Sequence, residues 1–322
     1  MKSTVYITRK LPDNVVDKLS CHFNVRMWKE ESIQVPREVL LKEIEDVEGL
    51  LCLLTDIIDK EVLDLACNLK VISNLAVGYN NIDLDSAVCR GIVVTNTPGV
   101  LTETTADLTF ALLMATARRL VESSDFLRKG EWGAWSPMQL TGQDINNATI
   151  GIIGLGRIGE ALVKRAKGFD MEVLYFNRKR KTELERELGI QYAELKDLLK
   201  RSDYVCLLLP YSNEVHHLIG KEELKQMKKE AILINTARGG LVDEDALYHA
   251  LVEGQIWAAG MDVFEKEPVS VDHPLLTLPN VVTLPHIGSA SINTRIAMAN
   301  LAADNIVNVL NGAEPLTPVM LK

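Results

Sequence analysis

Thr149-Ile150-Gly151-Ile152-Ile153-Gly154-Leu155-Gly156-Arg157-Ile158-Gly159 constrains this chain more than any other stretch. An apolar strand runs into a Gly-x-Gly-x-x-Gly turn, and a helix is expected over 160–168. The first glycine permits the tight bend, the second lets backbone approach a pyrophosphate, and the third lets helix pack closely on strand. The helix N-terminus then faces the negative charge. Glycine patterns alone arise by chance, but here a second strand follows at Met171-Glu172-Val173-Leu174-Tyr175-Phe176. In that context the turn reads as a dinucleotide site formed by Gly154, Leu155, Gly156, Arg157, Ile158 and Gly159.

The end of the second strand bears on which dinucleotide binds. A site for NAD usually carries Asp or Glu there, to accept hydrogen bonds from the ribose hydroxyls. This chain has Asn177, followed by Arg178, Lys179, Arg180 and Lys181. Without a carboxylate there is nothing to repel a 2′-phosphate, and Arg178 offers it paired N–H donors. The plain alternative is a solvated basic loop. The position favours NADP(H), with NAD(H) possible.

Strand and helix signals alternate along all 322 residues, enough chain for two domains. Strands are expected at 5–7, 23–25, 49–53, 71–75 and 92–95, with helices near 12–20 and 60–66. Short apolar strands between helices indicate a parallel sheet covered on both faces. Pro98-Gly99 punctuates the chain before one long helix expected over 101–123. Further strands are expected at 204–209, 231–235, 258–263 and 281–284, and a last helix over 291–311. No short tandem repeat is present.

A net charge of −9 removes the basic footprint of a nucleic-acid-binding chain. The five cysteines are scattered without a CxxC pair, which suggests reduced thiols and not a disulfide framework or zinc site. No signal-like apolar core and no 18-residue apolar span occur, so the protein is expected to be cytoplasmic and not membrane-bound. His216 and His217 are adjacent, and helix or strand geometry would not aim both rings at one ion; no metal site is expected.

Open parallel sheets bind ligands beyond the carboxyl ends of their strands. Three polar residues stand there: Arg238 in Asn235-Thr236-Ala237-Arg238-Gly239-Gly240, Glu267 in Phe264-Glu265-Lys266-Glu267-Pro268, and His286 in Leu284-Pro285-His286-Ile287-Gly288-Ser289. Each alone has a structural reading, as a salt-bridging arginine, a surface carboxylate or a core histidine. Beside a hydride carrier they form a reductase set. Arg238 would hold a 2-oxo acid's carboxylate and polarise its ketone. His286 would donate a proton to the carbonyl oxygen, with Glu267 fixing its tautomer.

These three segments and the glycine turn together resemble the D-isomer-specific 2-hydroxyacid dehydrogenases, over nearly the whole chain. Within that family the pattern is most similar to glyoxylate/hydroxypyruvate reductases. Thr97-Pro98-Gly99-Val100-Leu101-Thr102-Glu103, Trp132-Gly133-Ala134-Trp135 and His273-Pro274-Leu275-Leu276 carry the likeness further. The resemblance implies an α/β fold of two domains: a Rossmann-type doubly wound parallel sheet for the cofactor, and a flavodoxin-like substrate domain. The substrate domain would be discontinuous, residues 1–100 and 290–322, and the cofactor domain would span 101–289 with a dimerisation arm at 101–149. The active site would lie in the cleft between them.

It also implies that Arg238, Glu267 and His286 are catalytic. Cofactor contacts would extend to Thr236, Ala237, Arg238, Asp262, His286 and Gly288. Substrate would meet the backbone N–H groups of Val77 and Gly78, together with Arg238, His286, Ser289, Leu54 and, across a homodimer interface, Trp135. The implied reaction is NADPH-dependent reduction of glyoxylate to glycolate and hydroxypyruvate to D-glycerate. Two alternatives stay open: the same chemistry on 2-keto-D-gluconate, or a dinucleotide-sensing, corepressor-like binding role. A 3-phosphoglycerate dehydrogenase fits less well, since residue 177 is not acidic.

Overall fold

The computed structural model describes residues 2–320. The chain begins β1 (Thr4–Ile7), α1 (Asp13–His22), β2 (Asn24–Met27), α2 (Arg37–Glu43), β3 (Gly49–Cys52) and α3 (Lys60–Leu65). β4 (Val71–Asn74), α4 (Leu84–Cys89) and β5 (Val93–Thr95) follow, and then α5 (Thr102–Ala117) and α6 (Leu120–Arg128). Next come β6 (Thr149–Ile153), α7 (Arg157–Lys167), β7 (Glu172–Phe176), α8 (Thr182–Leu188), β8 (Gln191–Tyr192) and α9 (Leu195–Arg201). β9 (Tyr204–Leu207), α10 (Lys221–Leu224), β10 (Ile232–Asn235), α11 (Glu244–Val252), β11 (Ala258–Met261) and β12 (Val281–Thr283) lead to α12 (Ile292–Leu310).

Two compact units result: residues 1–101 with 290–322, and residues 102–289. The first holds a five-stranded parallel sheet in the order β2-β1-β3-β4-β5, the flavodoxin-like winding. One face buries Tyr6, Leu50, Ile72 and Val94 under Leu40, Ile44, Val62 and Leu63. On the other face α12 packs against β3, β4 and β5. A Cβ at Gly49 would stand 3.2 Å from Leu310 and 3.3 Å from Ile306, so this glycine sets how closely α12 lies on the sheet.

The second unit holds seven parallel strands in the order β12-β11-β10-β9-β6-β7-β8, a Rossmann-type winding whose strand order reverses between β6 and β9. Tyr175, Ile152, Cys206, Ile234, Gly260 and Val282 align across the sheet. α5 lies close on this row, because a Cβ on Gly260 would come within 2.8 Å of Leu112 and Thr116. The opposite face buries Ile153, Val205, Leu233 and Ala259. β8, only two residues long, was not foreseen.

Two helices differ from expectation. The helix after the glycine turn begins at Arg157 and not at residue 160, since Gly156 is its N-cap. The single helix expected over 101–123 is two helices. Arg119 takes a left-handed backbone (φ 52°) between them, and its guanidinium grips Glu122 at 2.7 and 2.8 Å. The break has a distant cause. Gln143 donates to the carbonyl of Ala117 at 2.9 Å, and a Cβ on Gly142 would sit 2.1 Å from that oxygen. A returning segment caps α5 where local sequence would continue it.

Candidate active site

The glycine turn shows three different constraints. Gly154 has φ 101°, and a Cβ there would strike Leu209 N at 2.6 Å. A Cβ on Gly156 would meet nothing within 4 Å, leaving open space at the start of α7. A Cβ on Gly159 would lie 2.7 Å from the Gly154 carbonyl, so the helix passes as near the turn as backbone allows. Among these residues Leu155 is buried, Ile158 half-buried and Arg157 exposed. Strain, open space and close approach, in that order, fit a diphosphate at a helix N-terminus.

Asn177 closes the turn from β7. Its Oδ1 accepts from Leu155 N–H at 2.8 Å, and its Nδ2 donates to Leu155 O at 3.4 Å. The basic run beyond it divides in two. Arg180 is held by Glu185 and Lys181 by Glu160, whereas Arg178 and Lys179 are exposed. Among the described residues Arg178 makes a long pairing of 3.6 Å with the equally exposed Glu214.

Arg238, Glu267 and His286 follow β10, β11 and β12 at one edge of the same sheet. Nδ1 of His286 and Oε2 of Glu267 lie 2.7 Å apart, and Glu267 Oε1 accepts from Phe264 N–H at 3.0 Å. Burial alone would raise the Glu267 pKa. The bond and charge of His286, the Phe264 N–H and the Arg238 charge outweigh it, so the carboxyl sits below its ordinary range. Desolvation lowers the pKa of Arg238, and the Glu267 carboxylate opposes that. The guanidinium also donates to Ala237 O at 2.7 Å.

His286 has a left-handed backbone (φ 55°), a sparsely populated conformation for a non-glycine residue. Asp262 holds it there: the His286 N–H donates to the Asp262 carbonyl at 2.8 Å, and the Ile287 N–H donates to Oδ1 at 2.8 Å. Burial raises the Asp262 carboxyl above its usual range, against the Ile287 bond and the His286 charge. Its Oδ2 is buried without a hydrogen-bond partner among the described residues, which suits a donor such as a carboxamide N–H. Gly288 leaves only 3.2 Å between a virtual Cβ and this oxygen.

Among the supporting residues, Thr109 and Glu244 escaped the sequence reading. Thr236 Oγ1 meets Thr109 Oγ1 at 2.7 Å, fixing the end of β10 to α5. Gly239 lets the segment after Arg238 touch the next loop, since a Cβ there would sit 1.8 Å from Phe264 C. Glu244 accepts from Glu265 N–H at 2.7 Å and reaches His273 Nε2 at 3.0 Å, bracing the Glu267 loop from both sides. The pattern Val242-Asp243-Glu244 in a capped helix start was the available signal.

In the first unit, Val77 and Gly78 follow β4. Their carbonyls accept from Asn96 and Asn74, each at 2.8 Å. Neither amide N–H has a hydrogen-bond partner among the described residues. Leu54 is half-buried on a loop fixed at both ends, because Asn81 donates to Leu53 O at 3.1 Å and to Asp56 O at 3.0 Å. Asp56 is wholly buried, accepting from Thr8 Oγ1 and from Leu53 N–H at 2.8 Å. Ser289 is half-buried at the end of the second unit, and Trp135 is 76% exposed.

The expectation that His216 and His217 diverge is overturned. His216 closes a short 3-10 turn, and His217 takes φ 52°, which swings its ring back over its neighbour. The rings stack with centroids 3.8 Å apart, and both face Glu265.

Comparison with known proteins agrees with this architecture. The family description "D-isomer specific 2-hydroxyacid dehydrogenase, NAD binding domain" matches residues 110–288. A glyoxylate reductase of Pyrococcus horikoshii is 51% identical, covering 99% of this chain and 96% of its own. One from Korarchaeum cryptofilum is 49% identical, over 98% and 95% respectively. A solved protein from Thermus thermophilus superposes with a TM-score of 0.92 at 46% identity, covering 98% of this chain and 100% of its own. An NADPH-dependent glyoxylate/hydroxypyruvate reductase from Sinorhizobium meliloti, in complex with NADP and malonate, gives 0.89 at 33% identity, over 99% and 97%. No helix among the described residues is long and apolar enough to cross a membrane. The chain belongs to the D-isomer specific 2-hydroxyacid dehydrogenase family and is an NAD(P)-dependent dehydrogenase.

Proposed function

We propose that this enzyme reduces short 2-oxo acids, glyoxylate and hydroxypyruvate, with NADPH as the preferred donor. The observation that carries the reading is the 2.7 Å His286–Glu267 pair beside Arg238, at the strand ends of a sheet with a complete glycine turn. The names of the similar enzymes support the substrate class.

Bound NADPH supplies the hydride. Arg238 fixes and polarises the 2-oxo acid, while the Val77 and Gly78 amides supply neutral donors for its carboxylate. His286 delivers a proton from Nε2 to the carbonyl oxygen, while Nδ1–H donates to Glu267. Leu54 and Ser289 line the substrate's surroundings. The first unit thus serves the substrate, and the second serves the cofactor through Thr236, Ala237, Asp262 and Gly288 as well as the turn. Exposed Arg178 and Lys179, and the lack of a carboxylate at Asn177, support the 2′-phosphate preference. The working form is a cytoplasmic homodimer, with Trp135 reaching towards the neighbour.

Initial rates with NADPH and NADH on glyoxylate, hydroxypyruvate and 2-keto-D-gluconate test this. NADPH with the two short acids is expected to be fastest, and His286→Ala to lower kcat by roughly 10²–10⁴-fold with NADPH affinity retained. Preference for the ketogluconate would move the substrate assignment. Near-normal turnover by His286→Ala would remove the proton donor.

A further inference from the structure

A second convergence of ligating side chains lies on the second unit, among residues that the reductase reading does not use. Beyond β9 the chain makes its 3-10 turn at Asn213–Val215 and presents His216 and His217 in one direction. Glu265 stands opposite, its Oε1 3.2 Å from His217 Nε2 and 3.9 Å from His216 Nε2. The three ligand atoms all lie within 4.8 Å of one another.

The scaffold behind these donors is well braced. His217 N–H donates to Gly240 O at 2.8 Å, anchoring the histidines to the segment that follows Arg238. Glu265 is anchored through its own N–H to Glu244 at 2.7 Å. Tyr211 Oη lies 3.1 Å from His216 Nδ1. If that Nδ1 carries the proton and donates it to the phenol, Nε2 keeps its lone pair and points towards Glu265, the usual support for a ligating histidine.

We propose that His216, His217 and Glu265 bind a divalent transition ion of the class that imidazole favours, zinc or nickel. Bonds of about 2.0–2.2 Å place tetrahedral donors about 3.4 Å apart. The His217–Glu265 separation already meets that and the His216–Glu265 separation needs a closure of about half an ångström, while the two stacked imidazoles, whose planes differ by 25°, must splay so that both lone pairs meet the ion. Partial exposure of all three side chains leaves the remaining positions to water. The ion ties the 211–217 segment to the loop that carries Glu267, so it acts as a clamp beside the reductase site and not as a participant in hydride transfer.

Calorimetric titration of the metal-stripped full chain with Ni²⁺ tests the proposal. One ion per chain is expected, at micromolar affinity. Glu265→Gln and the double variant His216→Ala/His217→Ala should each weaken it by about 10-fold or more, while His22→Ala and His249→Ala, at exposed histidines elsewhere, leave it unchanged. Retained glyoxylate turnover in each variant verifies its fold, and Glu265→Gln keeps the side-chain shape if the double variant fails to fold. Absence of binding to the wild-type chain overturns the site. So does binding that survives in the double variant and in Glu265→Gln, which would place the ion at the exposed thiols or another histidine.

Discussion

At Glu267 a single carboxylate does two jobs, and one substitution separates them. Oε2 takes the His286 bond, while Oε1 takes the Phe264 N–H and holds the loop in shape. Gln at this position keeps the volume but removes the charge that favours a protonated ring. Glu267→Gln is therefore expected to lower kcat for reduction by about 10²-fold or more. The sign for stability is separate. The folded-state pKa of Glu267 is depressed, so the pairing contributes fully above the ordinary value of 4.5 and is lost as pH falls through the lower folded value. Initial rates together with melting curves recorded across the acid range check both. A kcat close to that of the wild type would mean that Glu267 is only a loop brace. Arg238, Glu267 and His286 were legible in the sequence because each follows an apolar strand, where parallel sheets place chemistry. Glu244, Thr109 and Asp56 were not, because each is fixed by a partner 21 to 127 positions away in the chain.

Strands were the most readable elements, since strands buried on both faces are short apolar runs and their ends came within a residue or two. Helix ends depend on distant chain, as the Ala117 carbonyl capped by Gln143 demonstrates. Adjacent His216 and His217 show the same limit: a left-handed residue, invisible in the side-chain pattern, reverses where a ring points. α12 and the segment after it carry a consequence of this kind. Thr317 accepts from Asn305 Nδ2 at 2.8 Å and donates to Asn96 O at 2.6 Å, and Asn96 Nδ2 in turn holds the Val77 carbonyl. Val319 N–H adds a bond to Val94 O at 2.8 Å. Ending the chain at Gly312 strips these partners from buried Asn305 and Asn96. Each severed bond is worth about 0.5–1.5 kcal/mol. The shortened enzyme should melt lower and show a KM for glyoxylate raised roughly 2–10-fold, with NADPH affinity unchanged. An equal loss of NADPH affinity would show general unfolding instead of a displaced Val77–Gly78 segment.

The molecule as a whole carries a surface that one copy leaves uncovered. Leu120, Val121 and Leu127 of α6 are 49–58% exposed, and Trp132, Trp135 and Met138 beyond it are 57–76% exposed. Six large apolar side chains within 19 positions of sequence exceed the scattered exposure of an ordinary surface, and two are tryptophans, the residue type that most often anchors an interface. A hollow lined by Phe126, Leu127, Trp132 and Leu140 accompanies them. If this face closes a homodimer, a charge placed in it must be desolvated on association, at a cost of several kcal/mol. Trp135→Glu is then expected to sediment as a monomer at concentrations where the wild-type chain is a dimer. Trp132→Glu, run beside it, separates general disruption of the face from a role specific to Trp135. Should Trp135 reach the neighbour's substrate, its variant loses turnover more steeply than the Trp132 variant at matched monomer content. A wild-type chain that sediments as a monomer with full activity would remove both the dimer and the shared tryptophan.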